Sequence, residues 1–326
     1  MPLHHPPWSD SSDTMKQQAI TPPAPCTDDS ASPTPSGGPA RAKAGRPSKK
    51  KTSSPSLRPI WPSPASGEDR HRLYCGDCLT VLPSLAEGSV DVIVTSPPYN
   101  LDLGYASYLD SRGEEEYLDW MTQVATALKR VLAPGGSFFL NVSGSPSRPW
   151  LPFELIVRLR TLFVLQNHIV WIKSVATPAV SVGHYKPVNG KRFLNHAQEH
   201  IFHLTHKGDV KLDRLAVGVP YKDKSNIVRR GHAQDLRCRG NTWFIPYETV
   251  RSKSQKFLHP GTFPVTLPRW CIRLHGVADA LVLDPFMGTG TTGVAAQAEG
   301  ARSIGIELDQ GYISIAANRM MEAESS

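Results

Sequence analysis

Downstream of Arg72 the chain alternates between two hydrophobic rhythms, and each change of rhythm marks an element. Leu73-Tyr74-Cys75-Gly76-Asp77 predicts a short strand, and Cys78 to Leu85 a short helix. Ser89-Val90-Asp91-Val92-Ile93-Val94-Thr95 is strongly β-branched and predicts a buried strand ending at Ser96-Pro97-Pro98. Between Glu114 and Leu132, Tyr117, Trp120, Met121, Val124, Leu128 and Val131 recur at helical spacing until Ala133-Pro134-Gly135-Gly136 stops the pattern. Ser137 to Val142, Gln166 to Lys173 and His200 to Thr205 read as further strands, with a helix over Leu151 to Leu162. After a long polar interval the rhythm resumes with a helix over Pro264 to Leu274, a strand over Ala280 to Asp284 and a turn through Gly290. A helix from Thr291 to Glu299, a strand from Ser303 to Glu307 and a last helix from Gln310 to Ala323 follow. Strands alternating with helices predict an α/β fold with a doubly wound, mostly parallel sheet.

Two segments stand outside this alternation. Residues 1 to 66 hold 14 of the 29 prolines, many Ser and Thr, and no apolar periodicity, so they cannot bury enough surface to offset the entropy of ordering and are expected to be a disordered tail. Within it, Gly45-Arg46-Pro47-Ser48-Lys49-Lys50-Lys51 resembles an AT-hook that follows the minor groove of DNA, although a second Arg after the proline is missing and a generic basic linker fits as well. From Asp209 to Lys256 the sequence is polar, basic and loop-like, broken only by Asn241-Thr242-Trp243-Phe244-Ile245-Pro246, the profile of an inserted recognition region. The expected organisation is therefore a tail (1–66), two halves of one enzyme-sized domain (67–208 and 257–326) and an insert (209–256).

Charge sharpens that division. The formal charge of the 326 residues is +7, but the tail has eight Lys and Arg against four Asp and Glu, and the insert eleven against five, which leaves the remainder at −3. A polyanionic partner would thus meet the tail and the insert rather than the body. There is no run of 18 apolar residues and no apolar block near the amino terminus, so a soluble, intracellular protein is expected. The cysteines, Cys26, Cys75, Cys78, Cys238 and Cys271, are odd in number and are expected to be reduced. Cys75-x-x-Cys78 lacks the second ligand pair of a structural zinc site, so no metal is expected.

Candidate chemistry lies at two places. Residues 280 to 307 read as strand, glycine turn, helix, strand and terminal acid, a βαβ unit suited to a nucleotide-like ligand. Its loop, Asp284-Pro285-Phe286-Met287-Gly288-Thr289-Gly290-Thr291-Thr292, departs from the dinucleotide fingerprint because an acid and a proline come first and only two glycines follow. Gly288 and Gly290 let the backbone approach the ligand, and Glu307 is placed to accept from ribose hydroxyls. The second place is Thr95-Ser96-Pro97-Pro98-Tyr99-Asn100, which alone would be a proline turn after a strand.

Together, with the proline loop first and the glycine loop nearly 190 residues later, these motifs resemble the β-class DNA amino-methyltransferases, the N4-cytosine and N6-adenine family, over residues 72 to 319. The resemblance implies a Rossmann-like fold in permuted order and S-adenosylmethionine as cofactor, without a metal. It implies that Asp284, Phe286, Gly288, Gly290 and Thr291 surround the methionine and adenosine portions and that Glu307 holds the ribose. Lys256-Phe257-Leu258-His259-Pro260 is similar to the family element for the methionine carboxylate, which brings His259, Pro260 and Thr262 into the cofactor set. Where the family continues with Thr-x-Lys-Pro, this chain has Gly261-Thr262-Phe263-Pro264, and a loop before a helix is the competing reading of His259. Asp77 matches the family's acidic strand end near the adenine, and it is also placed to cap the following helix.

An exocyclic amino group is a weak nucleophile because its lone pair is delocalised into the ring. Acceptors on its two hydrogens localise that pair and aim it at the methyl sulfonium, and the resemblance assigns this to Ser96 Oγ and the carbonyl of Pro97, with Pro98 stiffening the loop. Tyr99 is the expected stacking surface for a base flipped from the duplex. Ser in the first motif position favours N4 of cytosine, with N6 of adenine the alternative from the same family. C5 methylation requires a thiolate nucleophile, and no cysteine lies near Ser96.

The implied partner is double-stranded DNA, with a cognate restriction endonuclease and a homodimer as further associations, in bacterial or archaeal cytoplasm at the nucleoid. Arg229, Arg230, Arg237 and Arg239 are the expected DNA contacts in the insert. Two rival readings remain: a non-catalytic DNA-binding protein that keeps the fold, and an enzyme acting on RNA or a small molecule.

Overall fold

The β-branched run at residues 90–95 lies in the middle of the sheet, where both faces are covered and strict alternation of polar and apolar residues is not needed. The computed structural model describes residues 59, 61–62, 70–99, 112–183, 191–229, 234–247 and 263–324. Asn100, Arg230, His259, Pro260, Thr262 and almost all of the amino-terminal tail, including the AT-hook-like stretch, lie outside the described residues.

In chain order the strands are β1 (Trp61–Pro62), β2 (His71–Cys75), β3 (Val90–Thr95), β4 (Leu132–Val142), β5 (Val164–Ile172), β6 (Ser174–Ala176), β7 (Ser181–Gly183), β8 (Gln198–Thr205), β9 (Thr242–Phe244), β10 (Leu281–Asp284) and β11 (Arg302–Glu307). The helices are α1 (Cys78–Val81), α2 (Glu114–Val131), α3 (Leu151–Leu159), α4 (Ser225–Arg229), α5 (Thr266–His275), α6 (Thr291–Ala298) and α7 (Gln310–Glu324). Among the described residues nine strands form one sheet in the order β1-β2-β11-β10-β3-β4-β8-β5-β9, and β6 and β7 form a separate hairpin. β2, β11, β10, β3 and β4 run parallel; β8 is antiparallel to both β4 and β5, so β5 and β9 point with the parallel set. The sheet is mostly parallel, as the alternation predicts, with the reversed β8 inside it.

Helices cover both faces. Apolar residues of α1, α2 and α3 pack with Ile93, Phe138, Leu140 and Phe202 on one side. Those of α5 and α6 pack with Val92, Val94, Phe139 and Ile201 on the other, and α7 closes a third cluster over Leu73 and Met287. Three acids in the first turn of α2 and Lys129 and Arg130 in its last complement the helix dipole.

Two details differ from the sequence expectation. Trp61–Pro62 pairs with Leu73 and Arg72, so the sheet begins inside the segment assigned to the tail. The strand expected from Ser137 starts at Leu132; pairing jumps from Val90 with Leu132 to Val92 with Ser137, so Ala133-Pro134-Gly135-Gly136 forms a bulge in the strand instead of a loop outside it. Cys78, Cys238 and Cys271 are free thiols. The apolar interruption in the basic insert also has a clear purpose. It becomes β9, where Trp243 is buried, and the Trp171 indole donates to the Ile245 carbonyl at 2.8 Å.

Candidate active site

Parallel strands deliver their carboxyl ends to one edge of a sheet, where α/β proteins bind ligands. β3 ends there in Ser96-Pro97-Pro98-Tyr99, β10 in the Asp284 loop, β11 in Glu307 and β2 in Gly76-Asp77. Asn141 near the end of β4, Lys173 just past β5 and Glu199 at the start of the reversed β8 reach the same edge. Residues as far apart in sequence as Asp77 and Glu307 are thereby gathered into two adjoining groups.

The cofactor-side group is built on the glycine loop. Gly288 (φ 53°) and Gly290 (φ 82°) both adopt the left-handed region, and a Cβ on Gly290 would lie 2.8 Å from the Ala316 Cβ. The Gly288 amide donates to Glu307 Oε2 at 2.8 Å, and the Asp309 amide to Oε1 at 2.9 Å. Burial nevertheless pushes the Glu307 carboxyl up to about 7. Phe286 packs against Trp120 of α2 with centroids 5.4 Å apart, leaving an apolar, half-buried surface beside the loop. Asp77 is exposed and caps α1 by accepting from the Leu79 amide at 2.7 Å. Two positive-φ glycines, a poised acid, an exposed acid on the neighbouring strand end and an aromatic wall fit a nucleoside carrying ribose and amino donors.

Asp284 and Thr291 face inward. Asp284 Oδ1 accepts from Thr95 Oγ1 at 2.6 Å and the Phe286 amide at 3.0 Å, and Oδ2 accepts from Thr292 Oγ1 at 2.6 Å. It is therefore the tie between the two motifs, with burial raising its carboxyl to about 6. Thr291 Oγ1 accepts from Arg319 Nη1 at 3.2 Å, and the same nitrogen donates to the Thr289 carbonyl at 2.6 Å. Arg319, on the last helix, pins the glycine loop; no local motif in the sequence signals it.

The second group surrounds the proline loop. Pro97 is buried, and the Pro98 carbonyl accepts from Tyr117 Oη at 2.8 Å, while among the described residues nothing donates to the Pro97 carbonyl. Ser96 Oγ lies 2.7 Å from Tyr99 Oη, which lies 2.9 Å from Glu199 Oε2. Asn141 Nδ2 reaches Tyr99 Oη at 2.6 Å and Glu199 Oε2 at 2.7 Å, and Lys173 Nζ donates to Glu199 Oε1 at 2.9 Å. Burial, with Glu199 beside it, holds the Tyr99 phenol well above its ordinary range, so it stays protonated. Asn141, Lys173, Glu199 and Tyr117 were not among the sequence candidates. Of these only Asn141 carries a signal in the sequence, a polar residue inside an otherwise apolar strand.

The insert arginines separate into different uses. Arg239 lies over the Trp270 ring at 3.9 Å and its Nε donates to the Val217 carbonyl at 2.8 Å, so this side chain is engaged within the fold. Arg229 ends α4 and is exposed, as is Arg237. Arg237 also lines an open groove of about 870 Å³ with Arg214, Tyr221 and Lys222. Among the described residues no His, Cys, Asp and Glu cluster could hold a metal, and no described helix is long and apolar enough to cross a membrane.

The proline loop and the glycine loop, joined through Thr95 and Asp284, thus meet at the carboxyl edge of a mostly parallel α/β sheet. The chain belongs to the DNA methylase family of N6 and N4 methyltransferases, whose model matches residues 90–318. It is 29% identical over 265 residues to the type II methyltransferase M.ScaI of Streptomyces caespitosus, covering 78% of this chain and 82% of that one. It is 27% identical over 263 residues to the DNA adenine methyltransferase YhdJ of Escherichia coli, covering 78% and 84%. Among solved structures, TTHA0409 of Thermus thermophilus, described as a DNA modification methylase and complexed with S-adenosyl-L-methionine, superposes with a TM-score of 0.53 at 27% identity, covering 78% and 94%. The cytosine-N4-specific PvuII DNA methyltransferase shares the fold with a TM-score of 0.59 at 23% identity, covering 78% and 91%. The protein is a DNA methyltransferase of the N4/N6 class, and its cofactor is S-adenosylmethionine.

Proposed function

We propose that the protein methylates the exocyclic N4 of a cytosine flipped out of double-stranded DNA at a specific sequence. The observation that carries this reading is the pair of acceptors at the mouth of the proline loop. Ser96 Oγ stands at the first motif position, and the adjacent Pro97 carbonyl accepts from no described residue. Two acceptors one residue apart suit the two hydrogens of one amino group.

The bound cofactor supplies an electrophilic methyl group. Asp77, Phe286, Gly288, Gly290 and Glu307 hold it, and Asp284 and Thr291 keep the loop in shape around it. His259, Pro260 and Thr262 are proposed for the methionine carboxylate. Ser96 and Pro97 draw electron density onto the amino nitrogen by accepting its hydrogens, Pro98 fixes the loop, and the Tyr99 ring supports the base. Residues 67–208 and 257–326 act as the catalytic and cofactor halves, and 209–256 reads the DNA through Arg229, Arg230 and Arg237. The type II names among the relatives support a place beside a cognate restriction endonuclease.

Ser96 favours cytosine, whereas the likeness to YhdJ favours adenine N6. The test is to methylate duplex DNA of mixed sequence with labelled cofactor, digest it to nucleosides and separate them. The wild type is expected to yield N4-methyldeoxycytidine; Ser96→Ala is expected to yield none while still binding the cofactor. Label in N6-methyldeoxyadenosine overturns the choice of base, and turnover by Ser96→Ala overturns the role of Ser96.

A further inference from the structure

The cluster beside Ser96 contains more polar groups than two acceptors for an amino group require. Asn141 is 2% exposed, and the side chains of Lys173 and Glu199 are 14% and 12% exposed. Three strands contribute to it, and their register explains how. Glu199 shares a face of β8 with Ile201, and Asn141 shares a face of β4 with Phe139, so both point to the same layer of the sheet.

Counting protons determines the direction of every hydrogen bond. Lys173 can only donate, so it fixes Glu199 as the accepting carboxylate of the pair. The 2.9 Å contact between Tyr99 Oη and Glu199 Oε2 needs a proton between the two oxygens, and only the phenol can provide it. The contact of Asn141 with Glu199 Oε2 likewise requires the amide nitrogen there, whose second hydrogen goes to Tyr99 Oη. With its one proton committed to Glu199, the phenol can only accept at its 2.7 Å contact with Ser96, so the Ser96 proton points at Tyr99. Asn141 Nδ2 also lies 3.4 Å from Ser96 Oγ, but its two hydrogens serve the shorter contacts with Tyr99 and Glu199, so the Ser96 lone pairs are left to accept from outside the cluster. Within the cluster, Asn141 Oδ1 is buried and accepts from no described residue.

We infer that Glu199, anchored by Lys173 and acting through Tyr99 with Asn141 as a brace, is a positioning residue that turns the Ser96 hydroxyl into a pure acceptor for the amino group of the target base. The inference rests on the reading of Ser96 given above. It adds a polarity to the site: reversing the chain of donors would aim a proton at the amino group and block the reaction without moving a heavy atom.

Glu199→Gln removes the carboxylate that sets this direction. Lys173 attracts the new amide oxygen, so the amide nitrogen faces Tyr99 and Asn141, the Asn141 amide turns over to accept from it, and the phenol proton, no longer held by a carboxylate, is released to compete for Ser96 Oγ. The kcat of Glu199→Gln is expected to fall about ten- to a hundredfold, the effect of one misdirected hydrogen bond at a reacting atom, with cofactor affinity and the KM for DNA unchanged. Lys173→Met in the Glu199→Gln background frees the amide to turn over and is expected to recover part of the lost kcat. Tyr99→Phe cuts the chain in the middle, so adding Glu199→Gln to it is expected to have no further effect on kcat. Unchanged kcat in Glu199→Gln overturns the inference, as does an equal loss in the Tyr99→Phe background, which is what a purely structural role predicts. If Glu199→Gln does not fold, Tyr99→Phe alone decides: wild-type kcat overturns the inference. Ser96→Ala measured in parallel separates the two claims. An inactive Ser96→Ala with an active Glu199→Gln removes the relay alone, whereas an active Ser96→Ala removes the reading beneath it.

Discussion

Replacing Thr95 with valine removes one oxygen and little volume at the joint between the two motifs. In the folded protein, Thr95 Oγ1 donates to Asp284 Oδ1 at 2.6 Å, with both residues buried. Burial holds Asp284 near 6, above the ordinary aspartate value of 3.8, so between those values the native state binds more protons than the unfolded chain. Stability attributable to this residue is therefore greatest at acid pH and declines as pH rises through about 6. Above that range Asp284 is a buried anion that relies on its donors. Losing one hydrogen bond to a charged group costs about 1.5–3 kcal/mol, whereas losing one to a neutral acid costs about 1 kcal/mol. Thr95→Val is accordingly expected to destabilise by about 2 kcal/mol at pH 8 and about 1 kcal/mol at pH 5. Urea unfolding followed by tryptophan fluorescence at the two pH values reads the difference, provided the slope with denaturant is unchanged. An equal loss at both pH values, or a larger one at pH 5, would refute the claim that Asp284 ionises within this joint.

Three further outcomes follow from the same geometry. Glu307 sits near 7 and is proposed to accept from ribose hydroxyls as a carboxylate, so cofactor affinity should strengthen as pH rises through about 7, and Glu307→Gln should flatten that dependence in titration calorimetry. Arg319 pins Thr289 and Thr291, so Arg319→Met should weaken cofactor binding by roughly tenfold, about one charged hydrogen bond, and leave DNA affinity unchanged. Arg239 stacks on Trp270, so Arg239→Ala should lower stability by about 1–2 kcal/mol without altering the salt dependence of DNA binding, which Arg237→Ala should reduce.

Much of this was legible in the sequence because it is local. The Val90–Thr95 strand, the α2 helix and the βαβ unit over 281–307 carry strong periodicity and turn chemistry, and they form where the pattern places them. The two loops follow directly from contiguous residues. Less legible were features created by pairing across the sheet. Asn141, in an apolar strand, and Glu199, at the polar start of another strand, lie 58 positions apart, and only the registers of β4 and β5 with β8 bring them with Lys173 to Tyr99. The bulge at Ala133-Pro134-Gly135-Gly136 reads locally as a helix stop, yet pairing with β3 draws it into a strand. Arg239 reads as one more basic residue in a basic insert until Trp270 comes beneath it.

The central claim is amino methylation of cytosine through Ser96, and base-resolution methylation mapping tests it most directly. DNA from a host lacking its own methylases should carry N4-methylcytosine at one short recognition sequence when it expresses the wild-type chain, and none when it expresses Ser96→Ala. Modified adenine at that sequence, or modification that survives Ser96→Ala, would contradict it.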